Sequence, residues 1–107
     1  MLSVERIPVV LIDGKKSDRE DFRTCVAGSR FKVWTDSQYS DHLLPLYRTL
    51  SPSLAVIDID ASPKVKGGPT AMQAIQDLLK EIPTARIVVS HTLERKFLIG
   101  SFFQAGV

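Results

Sequence analysis

The chain has 107 residues, of which 44% are hydrophobic and 24% are charged, and its formal net charge is +2. This length allows one domain with one core, and the balance of apolar and charged residues argues against a disordered chain. The basic residues are scattered rather than clustered, so we do not expect this domain to bind nucleic acid directly. The single cysteine, Cys25, excludes an internal disulfide and a cysteine-based zinc site.

No apolar run approaches the roughly 20 residues that a membrane-spanning helix needs. Residues 1–6 are also unlike a secretory signal, because no apolar stretch with a cleavage site follows the first charged residue. We therefore expect a cytoplasmic domain that makes no contact with a membrane.

The first half of the chain alternates short apolar runs with a longer amphipathic segment. Residues 8–12 form a continuous apolar run, which is typical of a strand buried on both faces. Ser17 and Glu20 have the spacing of a capping box and predict the start of a helix that stops near Gly28. Residues 30–35 alternate polar and apolar side chains, which favours an outer strand.

The same alternation continues in the second half. A helix is predicted over 43–50, with Pro45 in its first turn, because a deeper proline would remove a backbone hydrogen bond. Residues 54–57 predict a second buried strand, and 61–68 have the composition of a loop. Pro69 is predicted to open the next helix. The apolar side of that helix is predicted to consist of Met72, Ile75, Leu78, Leu79 and Ile82.

The last two predicted elements are a strand over 86–90 and a segment over 93–105 that carries Phe97, Phe102 and Phe103. Strands and helices thus alternate along the whole chain. This order predicts an α/β domain with a parallel sheet, right-handed crossovers and helices on both faces.

Four further side chains have a structural interpretation that is favoured over a chemical one. Cys25 falls on the apolar side of the first helix and is predicted to be a small core residue. Trp34 is predicted to pack beneath a helix. His42 is predicted to lie on the surface, near the start of the second helix and far from the strand ends. His91 directly follows Ser90 and could border a site at the strand ends, but a position in a solvated loop is favoured.

Polar residues lie at the carboxyl ends of three predicted strands. Asp13 follows the first strand, Asp58 and Asp60 follow the third, and Ser90 closes the fourth. In an open parallel sheet these ends meet at one edge, where ligands bind. Carboxylates that meet there repel one another unless a cation lies between them, and their oxygens suit Mg²⁺. Each residue alone could equally cap a turn, so the hypothesis depends on the joint pattern.

Three stretches give the sequence a family resemblance. Residues 52–59, 87–90 and 104–107 resemble, in order, the phosphoacceptor strand, the switch strand and the Ala-Gly turn of the receiver domain of two-component response regulators. The resemblance implies a flavodoxin-like, doubly wound parallel sheet with strand order 2-1-3-4. It also implies one receiver-like domain over 1–107, incomplete at its carboxyl terminus, with the fifth strand of the family absent from this chain.

The resemblance also implies a role for each strand-end residue. Asp58 would be the phosphoacceptor and Ser90 the switch residue that binds a phosphoryl oxygen. Asp13, Asp58 and Asp60 would hold Mg²⁺, with Asp13 acting through water and Asp60 offering its backbone carbonyl. The family usually has a second acidic residue where this chain has Gly14, and that departure predicts weakened Mg²⁺ binding.

The partners implied by the resemblance are a histidine kinase or another phosphodonor, and an output domain or partner protein that docks on the last helix. The resemblance also implies that the chain regulates transcription through an attached domain and that it forms a homodimer. No enzymatic activity is expected beyond self-phosphorylation and self-dephosphorylation. A degenerate receiver that acts through protein contacts without phosphorylation remains an alternative.

Two other classes of protein share parts of the pattern. Asp58 and Asp60 also resemble the DxD motif of haloacid-dehalogenase-type phosphohydrolases, although that motif usually lies on the first strand. A flavodoxin-like module that binds a nucleotide or a flavin is the second alternative. The loop after the first strand, however, has neither a G-x-G-x-x-G nor a Walker pattern.

Overall fold

The strands and helices of the computed structural model, which describes residues 6–91, follow the predicted alternation. The strands are β1 (Ile7–Ile12), β2 (Phe31–Ser37), β3 (Leu54–Asp58) and β4 (Ile87–Ser90). The helices are α1 (Lys16–Val26), α2 (Leu43–Leu50) and α3 (Ala71–Glu81), and a 3₁₀ turn covers Ser40–His42. The predicted segment 93–105 and the turn at 104–107 lie outside the described residues.

The four strands form one parallel sheet in the order β2-β1-β3-β4, which confirms the flavodoxin-like topology. β1, β2 and β3 are each followed by a helix that returns the chain to the amino end of the sheet, as parallel pairing requires. None of the helices between residues 6 and 91 is long and apolar enough to cross a membrane.

Helices cover the sheet on both faces, and alternate residues of β1 and β3 divide between two cores. One core joins the sheet to α2 and α3, and it contains Val10, Ile12, Leu43, Tyr47, Ala55, Ile57, Ala71, Ala74, Ile75 and Leu78. The other joins the sheet to α1, and it contains Val9, Leu11, Phe22, Val26, Val33, Leu54, Val56 and Val88. Each fully buried Leu, Ile or Phe side chain contributes about 1.5–3 kcal/mol by leaving water, and every residue of β3 is buried.

The start of α1 differs from the prediction. The helix begins at Lys16, so Ser17 lies inside its first turn, and no side-chain cap forms at Lys15. Instead, the carboxylate of Asp13 accepts a hydrogen bond from the Lys15 backbone N–H at 2.9 Å. The capping box at Ser17 and Glu20 is therefore wrong, because a turn held by Asp13 brings the chain into the helix earlier.

A capping box is present at α3, where it was not predicted. The Thr70 hydroxyl accepts a hydrogen bond from the Gln73 N–H at 3.3 Å, and the Gln73 side-chain oxygen accepts one from the Thr70 N–H at 2.9 Å. The helix accordingly begins at Ala71 and not at Pro69. The carbonyl oxygen of Pro69 accepts a hydrogen bond from Ser40 Oγ at 2.6 Å instead.

A β-bulge in β2 explains the position of Trp34. Val9 pairs with Val33 but Val10 pairs with Thr35, so Trp34 is the extra residue on the edge strand. Its side chain is 49% exposed and does not pack beneath a helix. The bulge also reverses the alternation of the residues that follow it in β2.

Two predicted apolar faces are also corrected. Cys25 is exposed, because α1 contacts the sheet along a narrow line through Phe22 and Val26. On α3, Met72 and Leu79 are exposed. The residues of α3 that are buried are Ala71, Ala74, Ile75 and Leu78.

We expect Thr70→Ala to lower the free energy of unfolding by about 1 kcal/mol, because the substitution removes the hydroxyl that caps α3. Urea denaturation followed by circular dichroism measures the change. Ser17→Ala is the matched control and should leave stability within about 0.5 kcal/mol of the unmodified chain. Equal losses in the two variants would contradict the assignment of the cap.

Candidate functional site

The pairing register brings Asp13 and Asp58 to the same level of the sheet. Ile12 of β1 pairs with Ile57 of β3. Asp13 directly follows Ile12, and Asp58 directly follows Ile57 as the last residue of β3. Neighbouring strands lie about 4.8 Å apart, so the two aspartates lie side by side at the carboxyl edge. Asp58 in turn pairs with Ser90 of β4. The predicted convergence of these three residues is therefore present in the pairing, and we call them the rim triad.

All three residues of the rim triad face α1. Leu11, Val56 and Val88 belong to the core beneath α1, and the triad residues come two positions later, which returns each side chain to the same face. The exposed fractions of Asp13, Asp58 and Ser90 are 0%, 4% and 2%. Buried carboxylates require hydrogen bonds or charge compensation, so their immediate contacts matter.

Asp13 closes the turn between β1 and α1. Its N–H donates to the Ser37 carbonyl oxygen at 2.8 Å, which continues the pairing with β2. One carboxylate oxygen accepts from the Lys15 N–H at 2.9 Å, and the carbonyl oxygen accepts from Arg19 Nη1 at 2.8 Å. Asp13 is therefore fixed through both its side chain and its backbone.

Asp58 holds the loop that follows β3. Its carboxylate accepts from the Asp60 N–H at 3.2 Å, and its carbonyl oxygen accepts from the Ala61 N–H at 3.0 Å. The Ile59 N–H donates to the Ser90 carbonyl oxygen at 2.8 Å, so the two chain segments stay together past the end of the strands. Ser90 Oγ is buried and has no hydrogen-bond partner among residues 6–91.

The side chain of Asp60 differs from those of the rim triad in exposure and in contacts. It is exposed, and its carboxylate lies 3.6 Å from His91 Nε2. His91 is exposed as predicted. Across residues 6–91, no group of three or more His, Cys, Asp and Glu side chains is placed to hold a metal ion.

The oxygen atoms at the rim are nevertheless of the type that Mg²⁺ binds in proteins. Mg²⁺ is commonly bound by one or two carboxylates and keeps several waters, rather than being enclosed by protein ligands. Asp13 and Asp58 provide two buried carboxylates, and the backbone carbonyl of Asp60 lies two residues beyond Asp58. The Mg²⁺ site at Asp13, Asp58 and Asp60 stays a prediction.

Sequence reasoning missed a charged cluster beside the rim. Asp36 of β2 forms ion pairs with two arginines of α1, with Arg19 Nε at 3.7 Å and with Arg23 Nη2 at 3.0 Å. Asp36 pairs with Leu11 in the sheet and so faces α1. The spacing of four residues between the arginines was a detectable signal, but the position of Asp36 depends on the bulge at Trp34.

A second set of contacts holds the loop after Asp58 against the 3₁₀ turn. The Ser40 N–H donates to the Ser62 carbonyl oxygen at 2.9 Å. The carboxylate of Asp41 accepts from the backbone N–H groups of Lys64 and Val65 at 3.2 and 3.3 Å. We call these contacts the loop clasp, and they hold the loop from outside the triad.

His42 lies closer to a strand end than predicted. Its Nδ1 is 2.7 Å from the hydroxyl oxygen of Ser37, the last residue of β2, and its ring packs edge-on against Tyr39. The side chain is half-buried rather than on the open surface. The expectation that His42 lies far from the strand ends is therefore wrong for β2.

Comparison with known proteins identifies the fold. No protein-family model matches the chain, and no curated protein matches its sequence. A LuxR-family two-component response regulator from Aurantimonas sp. SI85-9A1 matches with a TM-score of 0.71 at 20% identity, over 96% of this chain and 71% of that chain. The isolated REC domain of RcsB from Salmonella enterica serovar Typhimurium, solved with the phosphomimetic BeF3-, matches with a TM-score of 0.69 at 14% identity, over 96% and 74%.

A third match is the response regulator PhyR from Brucella abortus, with a TM-score of 0.65 at 18% identity, over 78% of this chain and 32% of that chain. The chain thus has the fold of response regulator receiver domains, and the resemblance seen in the sequence is confirmed at the level of the fold. The chain spans about a third of the length of PhyR. The activity of that whole protein is therefore not assigned to this chain by the match.

Acid should weaken the loop clasp through Asp41. Partial burial raises the pKa of Asp41, but the hydrogen bonds from Lys64 and Val65 outweigh it and hold the pKa below the ordinary value of 3.8. Because the pKa is lower in the folded chain, the stabilisation is complete above about 3.8 and is lost as the pH falls through the folded-state value.

We expect the unmodified chain to lose up to about 1 kcal/mol more than Asp41→Asn between about pH 6 and pH 3, since the site is open to solvent. The free energy of unfolding in urea at each pH measures the difference. The same pH dependence in both proteins would show that Asp41 does not hold the loop.

Proposed function

We propose that this chain is a signal-transduction receiver domain in which Asp58 accepts a phosphoryl group and thereby controls an output domain or partner protein. The proposal is supported chiefly by one observation, the burial of Asp58 at the end of β3, next to Asp13 and in register with Ser90. The receiver-domain fold supports the same function.

The proposed chemistry is a phosphoryl transfer to a carboxylate. An oxygen of Asp58 attacks the phosphorus of a phosphorylated histidine or a small acyl phosphate, and a new P–O bond forms. The bond from phosphorus to the donor breaks, and its electron pair leaves with the imidazole or the carboxylate of the donor. The product is an aspartyl phosphate, which water can hydrolyse to restore the carboxylate.

Ser90 is the proposed switch residue. Its hydroxyl is buried, lies next to Asp58 in the pairing and has no hydrogen-bond partner among residues 6–91. A phosphoryl group on Asp58 would add acceptor oxygens at this position, and Ser90 can donate to one of them. A new charge and a new hydrogen bond at the end of β4 can then change the chain segment that follows.

Mg²⁺, bound by Asp13 and Asp58 with the Asp60 carbonyl, would neutralise charge on the transferred group. Asp13 and its turn are held in place by the Lys15 N–H and by Arg19, so this carboxylate is oriented before any ligand arrives. Gly14 offers no side chain in the position of a second acidic residue, so we propose that Mg²⁺ binding is weak.

The proposed partners are a histidine kinase or another phosphodonor and an attached or separate output component. RcsB, which shares the fold, has been solved as two dimers bound to two parallel DNAs. By analogy we propose a homodimer and control of transcription, with DNA contacts made by the output component and not by this domain. The domain itself has a formal net charge of only +2 and no basic cluster in its sequence.

Acetyl phosphate with Mg²⁺ tests the proposal. We expect intact-mass spectrometry to show the gain of one phosphoryl group, and Asp58→Asn to abolish it because the nucleophile is removed. Asp60→Asn is the matched control: it keeps the backbone carbonyl and should still be phosphorylated.

Lack of incorporation into the unmodified chain at saturating donor would contradict phosphorylation and favour the receiver that works by protein contacts alone. Incorporation that survives Asp58→Asn would place the acceptor elsewhere.

A further inference from the structure

Arg19 is a basic side chain that contacts the backbone of one residue of the rim triad. It lies in the first turn of α1, and its Nη1 donates to the carbonyl oxygen of Asp13 at 2.8 Å. Its side chain is 15% exposed, whereas that of Arg23, one turn later, is 47% exposed. A guanidinium so well shielded from water is held in one position, and its charge is less screened by salt than that of a surface arginine.

The group formed by Arg19, Arg23 and Asp36 brings an excess of positive charge next to the two carboxylates of the rim triad. Arg19 and Arg23 share the single carboxylate of Asp36. Arg23 approaches that carboxylate more closely, with its Nε 3.0 Å from Oδ2, while Arg19 Nε is 3.7 Å from Oδ1. Two guanidinium groups and one carboxylate carry a net charge of +1. The cation that is less fully paired is Arg19, which also contacts Asp13.

The contact with Asp13 joins three elements at one point. Arg19 belongs to α1, the carbonyl oxygen to the turn after β1, and Asp36 to β2. The neighbouring residue Gly14 adds no side chain that could hold this turn. An arginine can donate to the Asp13 carbonyl oxygen and pair with the Asp36 carboxylate at the same time, because its five N–H donors lie in one plane and point in different directions.

We propose that Arg19 is the positioning residue of this site: it fixes the Asp13 turn and provides a permanent positive charge beside the rim triad. This role rests on the proposed phosphoryl transfer. It compensates in part for the ligand that is absent at Gly14, since a fixed cation attracts the phosphoryl group without a metal. Arg19 acts through Asp13 and through its charge, and it forms no bond to the transferred group.

The test compares Arg19→Gln with Arg23→Gln, since each removes one arginine from Asp36 but only the first removes the contact with Asp13. With acetyl phosphate and Mg²⁺, we expect Arg19→Gln to be phosphorylated about 10- to 100-fold more slowly than Arg23→Gln. Arg19→Lys keeps the charge and a donor, so it should recover part of the rate.

Amide hydrogen exchange measured by NMR provides a readout that does not depend on phosphorylation. The Lys15 N–H donates to the Asp13 carboxylate, and its exchange should be about tenfold faster in Arg19→Gln than in Arg23→Gln. If no variant is phosphorylated but this difference is present, the proposed function fails while the positioning role stands.

Equal exchange at Lys15 in the two glutamine variants would overturn the positioning role. An Arg19→Lys variant that matches Arg19→Gln in both rate and exchange would overturn it as well, because charge and donor are both retained. Equal phosphorylation rates in Arg19→Gln and Arg23→Gln would remove the link between this contact and the reaction.

Discussion

The parallel register between β1 and β3 is the constraint on which the rest of the site depends. Because Ile12 pairs with Ile57, Asp13 and Asp58 leave the sheet side by side and on the same face. A shift of one residue in either strand would send one carboxylate to the opposite face. The two apolar cores oppose that shift, since it would exchange the residues of β1 and β3 between two differently shaped, closely packed cores.

Burying two carboxylates next to each other is unfavourable, and the surrounding structure supplies the compensation. Backbone N–H groups reach both side chains, from Lys15 to Asp13 and from Asp60 to Asp58. Arg19 adds a cation at the first of these turns. A divalent cation bound between the two carboxylates would replace their repulsion by attraction. The same features that stabilise the rim therefore prepare it for the proposed chemistry.

Local patterns predicted much of the fold. The buried strands were evident from their apolar runs, and the helix over Leu43–Leu50 has the predicted bounds because Pro45 restricts where it can start. The start of α1 was missed because the capping pattern at Ser17 is local, while the turn that governs the start is held by Asp13.

The relative positions of the rim-triad residues were also predictable from the sequence. Strand-end position was enough to place Asp13, Asp58 and Ser90 together, since parallel strands end at a common edge. The position of Asp36 could not be predicted, because it depends on one extra residue in β2 at Trp34. That bulge arises from the pairing of two strands, which no pattern within 30–37 reveals.

The most direct test of the shared rim is the relaxation of backbone amide NMR signals by Mn²⁺, which takes the same oxygen ligands as Mg²⁺. We predict that the amides of Gly14 and Ile59 broaden together at the same Mn²⁺ concentration, while those of Arg30 and Ser53, at the opposite edge of the sheet, keep their intensity. A common site for Asp13 and Asp58 would be contradicted if only one of the Gly14 and Ile59 amides broadened. It would also be contradicted if only the Arg30 and Ser53 amides broadened, or if none of the four did.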